Sequence, residues 1–404
     1  MKRHATVGLL LLVAALCAAC SNSASGSSAS TSSSSGSSSS SKTYDIWNFT
    51  DVPQDPAVVG VQAGINVLNA EGGVNGHKLV LKTCMDNQSA NTAAACARTA
   101  AGDPNALASV GNFTEDGASI NPVLVQAGIP ILAPDLDTTS DYTSPNIFAP
   151  DVGGAAIIGQ QAIMLQVLHL QQAGYLGTEA PATTELAQTA DQLLACNHAP
   201  ALKTAYAAYG TPDFSPQVSS IGKVQILFFA IATTDIPNAA KTVRQLGYTY
   251  PIMMGGLGAG ASFDGVPNRG TVYRPGYFNT GSAGFQNYEK AMGDQAGTAN
   301  DTSTSAQSYL GMMMVQYAAQ KLGSGLSKQS IVSLFNKTTD FSYENMAPTA
   351  NFTVKNQHLG GSRPNLVVPY VYAQQLASNN VTFTTLNGGK PVNIFGTAAP
   401  SATC

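Results

Sequence analysis

Between residues 58 and 101 the chain reads VVGVQAGINVLNAEGGVNGHKLVLKTCMDNQSANTAAACARTAA, and few folds accommodate that succession of patterns. Val58, Val61, Ile65 and Leu68 recur at helical spacing and predict an amphipathic helix with one buried face. Gly72, Gly73 and the Asn75-Gly76 pair then supply residues that tolerate positive φ, so the helix ends and the chain turns tightly. The run KLVLKT after His77 predicts a strand entering a sheet, and Asp86-Asn87 is expected to cap a second, Ala-rich helix. Helix, glycine corner, strand, cap and helix make one α/β unit. Its ligand-facing loop is expected at the carboxyl end of the strand.

The N-terminus bears on location. Lys2, Arg3 and His4 precede an apolar run over residues 7–15, and Ala18-Ala19-Cys20 follows. A basic start, an apolar core too short for a hydrocarbon layer about 30 Å thick, and small residues before a cleavage point predict a signal peptide over residues 1–20. The small pair before Cys20 resembles the lipobox of bacterial lipoproteins, which implies lipidation of Cys20; Cys17 stands where that pattern usually has Leu. Plain secretion with Cys20 as an ordinary thiol is the alternative. Residues 21–42 are nearly all Ser with Gly, Ala and Thr, a composition that buries no apolar surface and forms a flexible tether with a reach of roughly 25 Å.

About 360 residues remain, more than a single core usually serves, so two domains are expected. With 44% hydrophobic and 10% charged residues and a formal net charge of −4, the chain offers no basic patch for nucleic acid. No other run is long and apolar enough to cross a membrane. With Cys20 lipidated, Cys84, Cys96, Cys196 and Cys404 remain in an oxidising compartment; of the three pairings, Cys84–Cys96 and Cys196–Cys404 are expected. CxxC spacing is absent and the five histidines are scattered singly, so no metal site and no cofactor are expected.

The α/β alternation continues. A strand at residues 108–111 leads into the loop NFTEDG, and IPILAP leads into the loop PDLDTTS. Further strands are expected at 223–232 and 250–254, and helices at 153–172, 237–246, 285–292, 305–322 and 328–336. The Met312-Met313-Met314 run suits irregular gaps in a core. Gly256-x-Gly258-x-Gly260 follows a strand, but no helix opens after it and Phe263-Asp264-Gly265-Val266-Pro267 breaks the chain, which argues against a dinucleotide loop.

AGINVLNAEGGVNGHKL at 63–79, Asp86-x-x-Ser89, QAGIPILAP at 126–134, PDFSPQVSSI at 212–221, VRQLGYTYPIMMGG at 243–256 and YLGMMMVQYAAQKLG at 309–323 occur in one order. That order resembles the solute-binding proteins related to the Leu/Ile/Val-binding protein, the type I periplasmic binding family. The resemblance implies two Rossmann-like lobes with parallel central sheets joined by a three-segment hinge. Residues 43–149 with 273–345 would form one lobe, and 150–272 with 346–404 the other; strands are expected at 349–354 and 366–372. In the family, loops beyond the first-lobe strands hold a ligand carboxylate. Here Thr114, Glu115 and Asp116 stand in one such loop, and Asp135, Asp137 and Thr138 in another. Asp135 and Asp137 either face the ligand or cap the next turn toward solvent; carboxylates do not hold a carboxylate without an intervening cation or proton.

In the second lobe, Thr233 and Asp235 follow a strand, and Leu257 or Gly256 stands where the family presents a Glu to an amino acid's ammonium. Ala232 stands where an aromatic ring would close over the ligand, and TEAPATTE at 178–185 replaces an aromatic-containing loop. A branched-chain amino acid is therefore not the expected ligand, because an ammonium buried without its counter-charge costs several kcal/mol. Asp235, Asp137 or Glu115 would have to substitute.

No G-x-S-x-G elbow and no H-E-x-x-H motif is present, so binding without turnover is expected. The resemblance implies a monomeric, membrane-anchored capture protein that passes a small polar solute, an amino acid, amide or related compound, to the permease of an ABC importer. A binding protein feeding a membrane receptor is the alternative.

Overall fold

Tyr44, Ile46, Trp47 and Phe49 fall within β1 (Thr43–Thr50), whose last six residues are all buried. Such aromatic and β-branched side chains suit a pleated, enclosed surface. The structure, a computed structural model of the chain, describes residues 43–395 apart from 52–54, 137, 180, 233, 256–262, 264, 299, 355–364, 366 and 379–381. Cys20 and Cys404 lie outside the described residues, as do Asp137, Thr233 and Leu257.

β1 is flanked by β2 (Lys78–Met85) and β3 (Ala106–Val110), and β4 (Ile131–Leu132) and β5 (Ile147–Phe148) extend the sheet in the order β2-β1-β3-β4-β5, every pair parallel. Between them run α1 (Pro56–Ala70), α2 (Ala90–Gly102), α3 (Gly117–Gln126) and the short α4 (Thr139–Thr143). The glycine corner behaves as the sequence implies: Gly72, Gly73, Asn75 and Gly76 all have positive φ. Asp86 does not cap α2. Ser89 does, accepting from the Thr92 amide, while Asp86 is buried beside the sheet edge.

The chain leaves this sheet through residues 149–152. The expected single helix at 153–172 is a 3₁₀ turn, Gly153–Ile158, followed by α5 (Gly159–Gln166). A second sheet contains β6 (Ala173–Thr178), β7 (Lys203–Ala207), β8 (Ile226–Ala230), β9 (Ile252–Met254) and β10 (Val272–Gly276), in the parallel order β7-β6-β8-β9-β10. Helices α6 (Pro181–Cys196), α7 (Ser215–Ile221) and α8 (Ile236–Gln245) connect its strands. After β10 the chain returns to the first sheet with α9 (Ala283–Met292), α10 (Ser303–Leu322) and α11 (Lys328–Phe335). It crosses once more to β11 (Tyr370–Leu376), β12 (Phe383–Thr385) and β13 (Val392–Asn393), which add antiparallel strands to the second sheet. Residues 349–354 form no strand; a single bridge pairs Phe341 with Ala350.

The first lobe is held by α10 lying on α1. All three of Met312, Met313 and Met314 are buried. The approach is closer than any side chain allows: a Cβ on Gly60 would lie 2.0 Å from the Ser305 carbonyl oxygen, and one on Gly64 2.4 Å from Met312 Cβ. Cys84, near the end of β2, is disulfide-bonded to Cys96 on α2. Cys196 is also disulfide-bonded, and Cys404, its expected partner, lies beyond the described residues.

Gly64→Ala is expected to lose about 1–3 kcal/mol by overpacking, whereas Gly102→Ala, which meets no atom within 4 Å, should be neutral or gain up to about 1 kcal/mol. Urea midpoints at unchanged m-value would measure both, and equal responses would contradict the close helix contact. Replacing Cys84 and Cys96 together with Ser should cost about 3 kcal/mol, the loop-closure value for a bridge of this span.

Candidate functional site

Because every strand of the first sheet points the same way, their carboxyl ends open on one edge, where ligands of open parallel sheets sit. β1 delivers Asp51, β2 delivers Asp86, and the segment after β3 delivers Thr114. Backbone bonds lock the three together: Asp51 N–H donates to the Phe113 carbonyl at 3.2 Å, Phe113 N–H to the Phe49 carbonyl at 2.9 Å, and Asp86 N–H to the Thr50 carbonyl at 3.0 Å. Thr114 Oγ1 donates its proton to Asp86 Oδ2 at 2.6 Å and accepts from the Asp116 amide at 3.0 Å. Asp86 Oδ1 accepts from the Gln88 amide at 2.9 Å, and Asp51 Oδ2 accepts from the Glu115 amide at 3.3 Å. Asp51 Oδ1 is left buried with no partner. Burial pushes the Asp51 carboxyl up to about 6, and the neighbouring Asp86 adds to the rise while the Thr114 hydroxyl opposes it.

The second cluster lies beyond β4. Asp135 is 6% exposed and Asp151, on the first crossover, 1%. No well-aligned hydrogen bond reaches either carboxylate oxygen of Asp135, on which only the adjacent Leu136 amide acts as a donor, and Asp151 Oδ2 has none. Asp151 Oδ1 accepts from the Gly153 amide at 2.9 Å and from Gln307 Nε2 at 3.3 Å. Gln307 Nε2, on α10, also donates to the Pro134 carbonyl at 2.7 Å and so ties the loop and the crossover to one helix. Burial, reinforced by the charge of Asp151 and opposed by the Leu136 amide, pushes Asp135 up to about 7; burial, opposed by the Gly153 amide, carries Asp151 to about 7. Unpaired acceptors enclosed this way are uncommon, since a buried carboxylate normally finds donors.

Of the residues singled out from sequence, Thr114 and Asp135 are buried on this edge, Asp116 is half-buried and Glu115 is exposed. Burial, and then the charge of Asp86, raises the Asp116 carboxyl. Thr138 closes a capping box on α4, its hydroxyl exchanging bonds with Asp141, so that side chain is spent on the helix start. In the second lobe, Asp235 Oδ2 accepts from the Gly210 amide at 3.1 Å and braces the loop that holds Tyr209 72% exposed. Sequence reading overlooked Asp51, Asp151 and Gln307 and took Asp86 for a helix cap. The usable signal was an acid directly after a strand in both β1 and β2. The edge is rich in carboxylate and hydroxyl oxygens, acceptors suited to holding N–H donors; among the described residues no trio of His, Cys, Asp and Glu is placed to hold a metal ion.

Two α/β lobes with parallel sheets, joined by crossing segments and carrying polar groups at the carboxyl ends of the strands, define the class of two-lobed solute receptors. Residues 52–368 match the family described as periplasmic binding protein, and the chain belongs to that family. No curated protein matches the sequence. Among solved structures, the chain is similar to a leucine binding protein from Thermotoga maritima MSB8, at 15% identity and a TM-score of 0.65 over 87% of this chain and 99% of that one. It is also similar to an ABC transporter substrate-binding protein from Desulfitobacterium hafniense in complex with Leu, at 17% identity and a TM-score of 0.65 over 85% and 99% of the two chains. A branched-chain amino acid transporter substrate binding protein from Streptococcus pneumoniae, in complex with isoleucine, gives 15% identity and a TM-score of 0.62 over 85% and 99%. Identities this low establish the type I periplasmic binding fold. The family binds solutes and is not an enzyme family.

The raised carboxyls fix the sign of the pH dependence. Each of Asp51, Asp135 and Asp151 binds its proton more tightly folded than at the ordinary value of 3.8, so its contribution is complete below about pH 4 and is lost as pH rises through 6 to 7. The ligand-free protein should therefore melt several degrees lower at pH 8 than at pH 5, and Asp135→Asn should narrow that gap by stabilising the pH 8 state. A melting temperature that rises from pH 5 to pH 8 would contradict the burial of these groups.

Proposed function

We propose that this chain is an extracytoplasmic solute-binding lipoprotein, anchored through Cys20 and a Ser-rich tether, that captures a small polar molecule between its lobes and delivers it to an ABC importer. The reading is carried by one observation: in a family of solute binders, the carboxyl edge of the first sheet gathers Asp51, Asp86, Thr114 and Asp135 in buried positions. It acts as a monomer and turns nothing over. Thr114, Glu115, Asp116, Asp135 and Asp137 from the first lobe, and Thr233 and Leu257 from the second, are the residues assigned to the cleft, while Thr138 and Asp235, engaged with Asp141 and the Gly210 amide, shape its rim. Leucine and isoleucine, bound by two of the similar proteins, are not the solutes we assign, since Gly256 or Leu257 stands in place of the ammonium partner and Ala232 in place of the closing aromatic ring. The solute is neutral or cationic, because acids dominate the first-lobe edge.

A thermal-shift screen against amino acids, polyamines, amides and aromatic acids tests this: a ligand at 100 times its dissociation constant adds about 2.7 kcal/mol of stability. Stabilisation by simple carboxylates alone would overturn the charge assignment, and measured conversion of any solute would overturn the binding-only reading. Cys20→Ala should move the protein from the membrane fraction to the soluble one; unchanged membrane retention would remove the lipid anchor from the proposal.

A further inference from the structure

Three of the buried carboxylate oxygens that lack a well-formed hydrogen bond belong to two acids at the first crossover. Asp135 Oδ1, Asp135 Oδ2 and Asp151 Oδ2 are enclosed in side chains more than nine-tenths buried, the two acids act on each other through their charges, and Gln307 bonds Asp151 and the Pro134 carbonyl next to Asp135. The charges acting on Asp135 come from Asp151 on the crossover, Asp141 on α4 and Asp55 at the start of α1, all acidic. The ion pair formed by Lys82 with Asp45 lies nearer the start of β1, away from this edge. Carboxylates only accept, so hydrogen bonds cannot form between them unless protons are added. A neutral amide would fill acceptors and leave the mutual repulsion of the two acids in place. A group with two or more N–H donors and a positive charge removes both costs together.

Resting on the solute-binding reading above, we propose that the solute carries a primary ammonium or guanidinium head group, and that Asp135 and Asp151 hold that group at the first crossover. A primary ammonium brings three donors and a guanidinium five, enough for the three orphaned oxygens. The carboxyls are closed off in this conformation, so the head group enters as the lobes part. Its arrival displaces the proton that the acids otherwise retain.

Calorimetry on the purified chain, with putrescine, agmatine, L-arginine, choline, L-leucine, acetamide, succinate and calcium chloride as probes, decides the matter. Putrescine, agmatine or arginine is expected to bind at pH 7.5 and at least tenfold more weakly at pH 5. Binding at pH 6 should release protons, seen as a heat that varies with the ionisation enthalpy of the buffer. Asp135→Asn and Asp151→Asn should each weaken binding by thirtyfold or more, with an unchanged circular dichroism spectrum; the pH series and proton release stand on the unaltered chain if either variant fails to fold. Tight binding of choline, which has no N–H on its cationic nitrogen, or of calcium in place of the amines, overturns the head-group assignment. Binding of leucine, acetamide or succinate that Asp135→Asn leaves unchanged overturns it too, while the solute-binding reading survives. If nothing in the set binds, the assignment fails, and the broad thermal-shift screen judges the solute-binding reading separately.

Discussion

The site follows from parallel pairing around β1. A parallel ladder brings neighbouring strands to their carboxyl ends at the same edge, so whatever residue follows each strand arrives on one line. β1 is in register with β2 through Thr50 and Met85, so Asp51 and Asp86 emerge side by side. The first residues after β3 are drawn onto the same edge by the bridge of Thr50 to Phe113, which places Thr114 between the two acids. An antiparallel sheet built from the same strands would have sent these acids to opposite ends. The close contact of α1 with α10 matters for the same reason: α10 carries Gln307, and the helix can reach Pro134 and Asp151 only because Gly311 meets Val110, Ala133 and Leu132 without a side chain of its own.

Much of this framework is legible in the residues. Helical spacing, the glycine corner and the apolar runs located α1, β2, β4, β8, α8, β9 and α10 to within a few residues, because those elements bury one face or two and show the matching period. β1 escaped notice since it opens directly from a low-complexity tether, and its inward polar residues, Asp45, Asn48 and Thr50, break the apolar run that marks a fully enclosed strand. The 3₁₀ turn at the first crossover was likewise unreadable, since Gly153-Gly154-Ala155-Ala156 fits either kind of helix. Thr114 and Asp135 were found as loop residues beyond strands. Asp151 was not, because its partners are a helix more than 150 positions away and a backbone amide, and nothing local in NIFAPD announces either contact.

The two lobes contribute unequally among the described residues. The first supplies Asp51, Asp86, Asp116 and Asp135 along one edge, whereas Asp235 of the second lobe is engaged with the Gly210 amide and serves as a brace. The brace holds out Tyr209, whose exposed ring offers an apolar body with a polar tip.

The enclosed acids of the first lobe come at a cost to the fold. Asp151 has a structural use, since one of its oxygens accepts from the Gly153 amide and from Gln307, whereas Asp135 is enclosed with little hydrogen bonding to offset its burial. As protonated acids they burden the empty protein little. As carboxylates they are costly to enclose until a donor-rich cation arrives, and the same burial that makes them costly strengthens their grip on it, because attraction grows as water is excluded. Affinity and the instability of the empty, ionised state are therefore two expressions of one desolvation cost, and the solute that relieves it is the one the cleft retains.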